Sequence, residues 1–237
     1  VFEALCEIYT AESAWDPTIP GRFYERVRED FPRLGQTREM GVEIASDQTG
    51  QSARVTQGEA RSQFLRKDGS RMLQLAPDLV VVNQLRPYPT FEDWKPQILE
   101  ALDHYRALAK PNRVQRVGLR YLNRVVIPAG GFPMERYFRL YPEIPKALGT
   151  EHGSFMLRIE IPVPAPAHNL LVTFGTAPRE GEAGSAFLLD LYDTVPEREF
   201  DAVARRIDEA HDHIERTFEA ILTDETRSLF EENANGR

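Results

Sequence analysis

The sequence has a single cysteine, Cys6, among its 237 residues, so no internal disulfide can form. Such a shortage is typical of proteins from reducing compartments, and we expect a cytoplasmic protein. No apolar run approaches the roughly 18 residues that cross a bilayer, and no basic stretch followed by an apolar stretch opens the sequence. We therefore expect neither a membrane anchor nor an export signal in these residues.

Positive charge is also in short supply. Lys and Arg number 29 against 37 Asp and Glu, which gives a formal net charge of −8. Non-specific affinity for nucleic acid comes mostly from Lys and Arg that neutralise phosphates, so this balance opposes it. The 41% of hydrophobic and 28% of charged residues indicate a folded chain, long enough for one large domain or two ordinary ones.

Signatures of common catalytic sites are missing, since there is no Gly-x-Ser-x-Gly, no P-loop and no Gly-x-Gly-x-x-Gly. His211 and His213 lie two residues apart on a predicted helix, about 200° around it, so they cannot share one ion. His211 and Glu215 have the spacing of a metal pair, but no third ligand is evident. We therefore expect no metal or other cofactor. Asp190 and Asp193, near a strand end, keep acid–base chemistry open.

The spacing of apolar residues predicts an α+β protein. In the first half it predicts strands at 1–10, 40–45, 53–66 and 71–85, a short helix stopped by Pro32, and a long helix over 91–108. Lys67-Asp-Gly-Ser70 predicts a tight hairpin, because Asp-Gly supplies the positive φ angles of such a turn. The second half repeats this order, with a strand at 114–127, a turn at 129–133, a short helix over 137–144, strands at 154–163, 169–176 and 186–192, and a helix over 200–221.

The two halves also share residues at constant offsets. Tyr137 follows Tyr24 by 113 residues, and Ile207 follows Ile98 by 109. We infer an internal duplication of a β-α-βββ(β)-α unit, forming a largely antiparallel sheet with helices packed on one face about a pseudo-twofold axis. The halves are placed at 1–110 and 111–237, fraying from about 231, within one compact domain.

The strand predicted at 113–127 alternates between an apolar face and a face with three arginines. At the offset of 113, two glutamates of the first strand fall opposite two of these arginines, whereas the third arginine falls opposite an alanine. Cross-strand pairs of opposite charge contribute about 0.2–1 kcal/mol each. The aligned residues are Glu3 with Arg116, Glu7 with Arg120, and Ala11 with Arg124.

The connector Trp15-Asp-Pro-Thr-Ile-Pro-Gly21 precedes the first predicted helix, and Asp16 or Thr18 is placed to cap that helix. A tryptophan in a turn must pack against something. Trp15 is therefore either a lid on the core or one wall of a pocket.

Three interpretations of the arginine face stay open: a solvated ladder of ion pairs, a polar groove that binds a ligand, and a nucleic-acid surface. Aligned glutamates would repel phosphate, so we do not expect a nucleic-acid partner.

We favour a non-catalytic protein that binds a small polar ligand or a protein or peptide partner on this face or in a groove at the pseudo-axis. The alternative is an enzyme that uses Asp190, Asp193 or the helix histidines. A homodimer formed through edge strands is a further expectation. The candidate ligand-binding residues are Glu7, Trp15, Asp16, Arg116, Arg120, Asn123, Arg124, Arg158, Glu160 and Asp190.

Four segments together resemble a sporadically distributed bacterial protein family of about this length. The resemblance implies no particular activity, and its patchy distribution suits an accessory or defence-associated protein. In architecture alone, the tandem unit also resembles the TATA-binding-protein saddle and GyrI-like effector-binding modules; the second likeness implies a small-molecule groove at the pseudo-axis. The four segments are Trp15-Asp-x-Thr-Ile-Pro-Gly21, Pro77-Asp-Leu79 with Val82-Asn83, Arg116-Val-Gly-Leu-Arg-Tyr-x-Asn-Arg124, and Ala186-Phe-Leu-Leu-Asp190.

Overall fold

The structure, a computed structural model, describes residues 1–47, 50–127, 133–145, 147, 153–164, 167–178, 181 and 184–235, and their side chains except at 38–59, 164 and 231–235. The predicted α+β class is confirmed. The strands are β1 Glu3–Ala11, β2 Arg33–Asp47, β3 Gly50–Leu65, β4 Arg71–Ala76, β5 Leu79–Gln84, β6 Arg113–Ile127, β7 Met156–Pro164, β8 Ala167–Ala177 and β9 Ser185–Pro196. The α-helices are α1 Ile19–Val27, α2 Phe91–Ala109, α3 Val203–Ile221 and α4 Asp224–Asn235.

The chain forms two compact units. The N unit is Leu5–Gln115 with Arg198–Phe200, and the C unit is Val1–Ala4, Arg116–Glu197 and Asp201–Arg237. Strands follow the order β2-β3-β4-β5-β1 in the N unit and β6-β9-β8-β7 in the C unit. The pairings β2–β3, β3–β4 and β4–β5, and β6–β9, β9–β8 and β8–β7, are antiparallel. The internal duplication and the pseudo-twofold axis stay predictions.

In the N unit, the single strand predicted over 71–85 is wrong. It is two strands, β4 and β5, which pair from Ala76–Leu79 to Arg71–Gln84. The turn falls at Pro77, which has no N–H to donate, and Asp78, whose φ of 55° an aspartate tolerates. Every residue of β5 is buried, so this hairpin reads in the sequence as one apolar run.

The turn between β3 and β4 is the predicted Asp-Gly hairpin. Gly69 has a φ of 76°, and the Asp68 carboxylate accepts hydrogen bonds from the backbone N–H and the hydroxyl of Ser70. By contrast, the predicted side-chain cap of α1 is wrong. The Asp16 carboxylate instead accepts from the backbone and hydroxyl of Thr18, the N-cap residue, whose own side chain makes no capping bond.

The N-unit core is formed by alternate residues of β1 and by one face of α2. Cys6 and Ile8 of β1 are buried as the alternation predicts. Burial raises the pKa of the Cys6 thiol, so Cys6 behaves as a small apolar residue. Helix α2 begins after Thr90, whose hydroxyl accepts from Asp93 N–H. Its buried face includes Trp94, Ile98, Ala101, Leu102 and Tyr105.

In the C unit, β6 has the predicted alternation. Its inward residues are Val117, Leu119, Tyr121, Asn123, Val125 and Ile127, and all are buried. On the opposite side, a Cβ added at Gly118 would lie 2.8 Å from the Tyr192 hydroxyl. Glycine therefore lets the Tyr192 ring lie across the strand.

The short helix predicted over 137–144 is wrong. These residues form no helix. A three-residue 3₁₀ helix lies just before them at Met134–Arg136, and Phe138 forms an isolated bridge with Leu222. Pro142 explains the error, because proline inside a helix removes a hydrogen bond and clashes with the preceding turn. Of the turn predicted at 129–133, only Pro133 lies within the described residues.

Two further differences concern the C unit. Helix α4 was not predicted. Ile159, on the apolar face of the strand predicted at 154–163, is 39% exposed, because β7 is the last strand in the order of this unit. In the described part of the chain, no helix is both long and apolar enough to cross a membrane.

Candidate metal centre

A carboxylate occupies an apolar position in the core of the C unit. Alternate residues of β9 point inward, and Phe187, Leu189 and Leu191 are buried. Asp193 continues this row with 0% of its surface exposed, whereas Asp190 lies on the other face of the strand. The two aspartates therefore cannot act together, and Asp193 needs local partners to compensate its burial.

Two histidines supply these partners. His168 Nδ1 and His213 Nδ1 each lie 2.9 Å from the same atom, Asp193 Oδ2. His168 stands on β8, two residues before Leu170, which pairs with Asp193 in the sheet. His213 reaches the site from α3, on the flank of the helix face that buries Ala210. Strand β8, strand β9 and helix α3 thus each contribute one side chain.

The second carboxylate oxygen is left without a partner. Asp193 Oδ1 is buried and makes no hydrogen bond, although an unsatisfied buried acceptor costs about 1–3 kcal/mol. Burial raises the pKa of Asp193, against the opposing effects of the charges and hydrogen bonds of His168 and His213. A hydrogen-bonded structural cluster explains Oδ2, but it leaves Oδ1 unexplained.

The three side chains offer two nitrogens and one carboxylate, a ligand set that suits Zn²⁺, Fe²⁺ and similar ions. One possible ligand atom from each of the three lies within 4.8 Å of the others. In a tetrahedral Zn²⁺ site with bonds of about 2.0–2.2 Å, neighbouring ligand atoms are about 3.3–3.6 Å apart. The observed Nδ1–Oδ2 separations of 2.9 Å would have to open by about half an ångström, which rotamer adjustments can supply.

A second layer of charge surrounds His168, which is only 3% exposed. Its Nε2 lies 3.9 Å from Glu209 Oε2. Glu209 is held in turn by Arg206 at 2.8 Å and Arg205 at 3.1 Å, and Arg206 also binds Glu197 at 2.7 Å. Carboxylates behind metal-binding histidines orient the ring and raise its basicity.

An open groove reaches the cluster at His213, whose side chain is 18% exposed. The groove has a volume of about 410 Å³ and lies between α3 and the outer strands of the C unit. In the described part of the chain, His213 Nε2 has no hydrogen-bond partner. The groove is lined by Arg139, Leu140, Ile159, Ile161, Val172, His213, Arg216, Thr217, Ala220 and Ile221.

The other helix histidines do not join this cluster. His211 points to the opposite side of α3, where its Nδ1 lies 3.1 Å from the Tyr121 hydroxyl. This divergence agrees with the expectation that His211 and His213 cannot share one ion. His104, in the N unit, lies 3.8 Å from Glu100.

Among the candidate ligand-binding residues, Arg120 and Asp190 are brought together directly. Arg120 Nε and Nη2 donate to the two oxygens of Asp190 at 2.8 and 2.6 Å. Arg120 also lies over the Tyr192 ring, 5.8 Å from its centroid. Arg124 Nη2 donates to the Pro178 carbonyl at 2.6 Å. Both arginines therefore have partners within the C unit.

The remaining candidates of the C unit are dispersed. The sheet register places Glu160 level with Arg120 and Arg158 level with Asp190, but Glu160 is three strand spacings away from Arg120, about 14 Å. Arg116, Arg158 and Glu160 are exposed, whereas Asn123 is buried on the inward face and its amide lies 3.4 Å from the Leu189 carbonyl.

Three candidates belong to the N unit. Glu7 lies 3.9 Å from Arg61, with both side chains largely buried. The Trp15 ring is 6.5 Å from that of Tyr105, and Asp16 is engaged by Thr18. The role of all ten residues in ligand binding stays a prediction.

His168 is not among the predicted site residues because the apolar pattern places the start of this strand at Asn169, just past a proline-rich segment. Extending the alternation of Leu170, Val172 and Phe174 back by two residues would have placed His168 on the inward face. The same alternation places Asp193 after Leu191, and a carboxylate in an apolar row is the signal in the sequence that points to this site.

A comparison with known protein families, with curated proteins and with solved structures finds no match.

Proposed function

We propose that this protein binds one divalent transition-metal ion through His168, Asp193 and His213, and that the ion is its functional centre. The observation that carries the proposal is Asp193 Oδ1, a buried carboxylate oxygen without a partner beside two imidazoles. A cation bound by both oxygens of the Asp193 carboxylate would compensate the buried charge and give Oδ1 a partner.

Three protein ligands leave at least one coordination position open, as in catalytic rather than structural zinc sites. The groove at His213 provides access to such a position. An ion held there can bind an anion or polarise a carbonyl or a water molecule. The proposal therefore differs from the sequence-based expectation of a cofactor-free binding face, which stays open beside it.

A metal-free acid–base site is the second candidate, and it corresponds to the enzymatic alternative drawn from the sequence. The observation in its favour is the bond between Asp193 and His213 Nδ1. A carboxylate on Nδ1 fixes the imidazole tautomer and leaves Nε2 as the base. Hydrolysis of 4-nitrophenyl octanoate that persists in chelator and disappears in His213→Gln would favour this candidate.

The metal proposal is tested by titrating chelator-treated protein with Zn²⁺ and Co²⁺ in a calorimeter, with the visible spectrum of bound Co²⁺ as a second readout. We expect one ion per chain. His168→Gln and His213→Gln should each weaken binding by more than about a hundredfold, since outer-shell changes alone cost about 10- to 100-fold.

Two substitutions serve as matched controls. His211→Gln changes a histidine that is on the same helix as His213 but contacts the Tyr121 hydroxyl instead. His104→Gln changes the histidine of α2. Both should bind the ion as the wild type does. The absence of binding to the folded wild type, or an equal loss in His211→Gln and His213→Gln, would rule out the proposed centre.

A further inference from the structure

The groove beside His213 combines an apolar floor with unneutralised positive charge. Ile159 and Ile161 are 39% and 41% exposed and stand on one side of β7. They line the groove together with Val172 of β8. Exposed β-branched residues next to a polar centre are typical of a site for the apolar part of a ligand.

Arg139 and Arg216 supply the charge. Arg139 has a long contact of 3.5 Å to the Glu219 carbonyl, and Arg216 donates through Nε to the carbonyl of Asp212 on its own helix. In the described part of the chain, neither guanidinium pairs with a carboxylate. Two unpaired arginines at one groove are notable in a chain of net charge −8, because acidic partners are abundant elsewhere.

The arginine on α3 lies on the side of the helix that carries the metal ligand. His213 and Arg216 are three residues apart, so their side chains are neighbours on the helix surface. A divalent ion held by Asp193 would leave a net charge of +1 at the centre, and Arg216 would add another positive charge beside it. A single carboxylate group matches this arrangement, with one oxygen toward the ion and the other toward the guanidinium.

We propose that the groove binds an amphipathic monocarboxylate, with its alkyl chain along Ile159, Ile161 and Val172 and its carboxylate between Arg216 and the ion. The groove volume of about 410 Å³ lies within the range of small-molecule sites, about 300–1,000 Å³. The inference rests on the proposed metal centre for one of the two carboxylate contacts. The alkyl contacts and Arg216 are independent of it.

The test uses the full chain loaded with one Zn²⁺ and freed of excess ion. Octanoate, octanol, octyltrimethylammonium and acetate are titrated in a calorimeter. We expect octanoate to bind about tenfold or more tightly than octanol, because a charge-assisted bond is lost with the alcohol. Acetate and the cation should bind much more weakly, since each lacks one half of the complementarity.

Three variants assign the contacts. Arg216→Gln should weaken the binding of octanoate about tenfold and leave the binding of octanol unchanged. A Zn²⁺ titration of the same variant shows whether the ion is still bound, and so separates loss of the arginine contact from loss of the ion. Ile161→Gln should weaken both ligands. Arg158→Gln is the control, because Arg158 is exposed on the opposite side of β7 and should change neither.

Octanol binding as tightly as octanoate, or an Arg216→Gln variant that binds octanoate normally, would overturn the inference. A dimer that Ile161→Gln dissociates, with no octanoate bound, would overturn it as well, because a second copy then fills the groove. The two proposals fail separately. If the protein binds Zn²⁺ but not octanoate, only the proposed ligand of the groove is wrong. If octanoate binds through Arg216 and Zn²⁺ does not bind, only the proposed metal centre is wrong.

Discussion

At one constant offset in the sequence, each unit has a histidine on a long helix and a polar residue on a buried strand, but the two polar residues differ. His104 and His213 are 109 residues apart, and so are Gln84 and Asp193, which is the offset found in the sequence. Gln84 is 1% exposed and its polar atoms are all hydrogen-bonded: the two N–H groups of its amide are shared among the carbonyls of Ser70, Leu85 and Pro87, and its oxygen accepts from Arg71 Nε. Asp193 is 0% exposed, and one of its oxygens has no partner.

This contrast indicates that Gln84 has a structural role, whereas Asp193 has an oxygen that can still bind a ligand. A neutral amide with every donor and acceptor used stabilises the start of the segment before α2. A charged group with an unused acceptor beside two histidines is costly as it stands, and perturbed carboxylates of this kind concentrate at functional sites. Exchanging amide and carboxylate at the two positions is therefore the most direct test of the comparison.

The largest expected effect is that of Gln84→Glu in the N unit. The new carboxylate would face three carbonyl oxygens that now accept hydrogen bonds, with Arg71 alone as compensation. We expect the free energy of unfolding, measured in urea, to fall by about 3 kcal/mol. A stability equal to that of the wild type would show that the Gln84 network is not structural.

Asp193→Asn is the reciprocal change in the C unit. The amide oxygen can still accept from a histidine, and no buried charge remains, so the metal-free variant should lie within about 1 kcal/mol of the wild type. Zn²⁺ binding should nevertheless be lost. A large loss of stability with the ion absent would make Asp193 a structural residue like Gln84.

A smaller effect is expected from Glu209→Gln, behind His168. Removing this charge should lower Zn²⁺ affinity by about tenfold, as measured by competition with a chelator of known affinity. The matched control is Glu100→Gln, since Glu100 precedes His104 by four residues, as Glu209 precedes His213, and lies 3.8 Å from His104. Equal affinities in the two variants would mean that Glu209 does not support His168.

The smallest effect concerns Asp16, an exposed carboxylate of the N unit. Hydrogen bonds from the Thr18 hydroxyl and then its backbone N–H hold the pKa of Asp16 below its usual value. Its contribution to stability is thus present above the unfolded pKa of about 3.9 and is lost as the pH falls through the lower folded pKa. The stability difference between the wild type and Asp16→Ala should be constant from about pH 7 to pH 5 and shrink as the pH falls below about 3.9. A difference that grows at low pH would contradict this assignment.

The spacing of apolar residues predicted the regular helices and strands. It failed where the backbone properties of a single residue ended or divided an element. The alternation of β6 and the helical spacing of α3 survive because burial fixes which face points inward. Pro142 broke a helix that the apolar spacing favoured, and Pro77 with Asp78 divided a continuous apolar run. Both are single-residue backbone effects that a pattern of hydrophobicity does not contain.

The candidate metal centre was less accessible to sequence reasoning than the fold. Its ligands come from three elements, and His168 is 25 residues from Asp193, so no local motif contains them. The sequence offers Asp193 as a candidate only together with Asp190, which lies on the opposite face of β9. Only the strand register, which places Leu170 opposite Asp193, brings His168 into reach.

Gly118 has a consequence for the arginine face of β6. Because no side chain stands at Gly118, the Tyr192 ring can lie flat there, next to Arg120. Arg120 is then confined by the ring and by both oxygens of Asp190, so most of its rotamer entropy, about 2 kcal/mol for an arginine, is lost on folding. A ligand that binds this face would therefore contact a guanidinium that is already rigid. The main cost to its binding free energy would be the displacement of Asp190, and not the ordering of a mobile side chain.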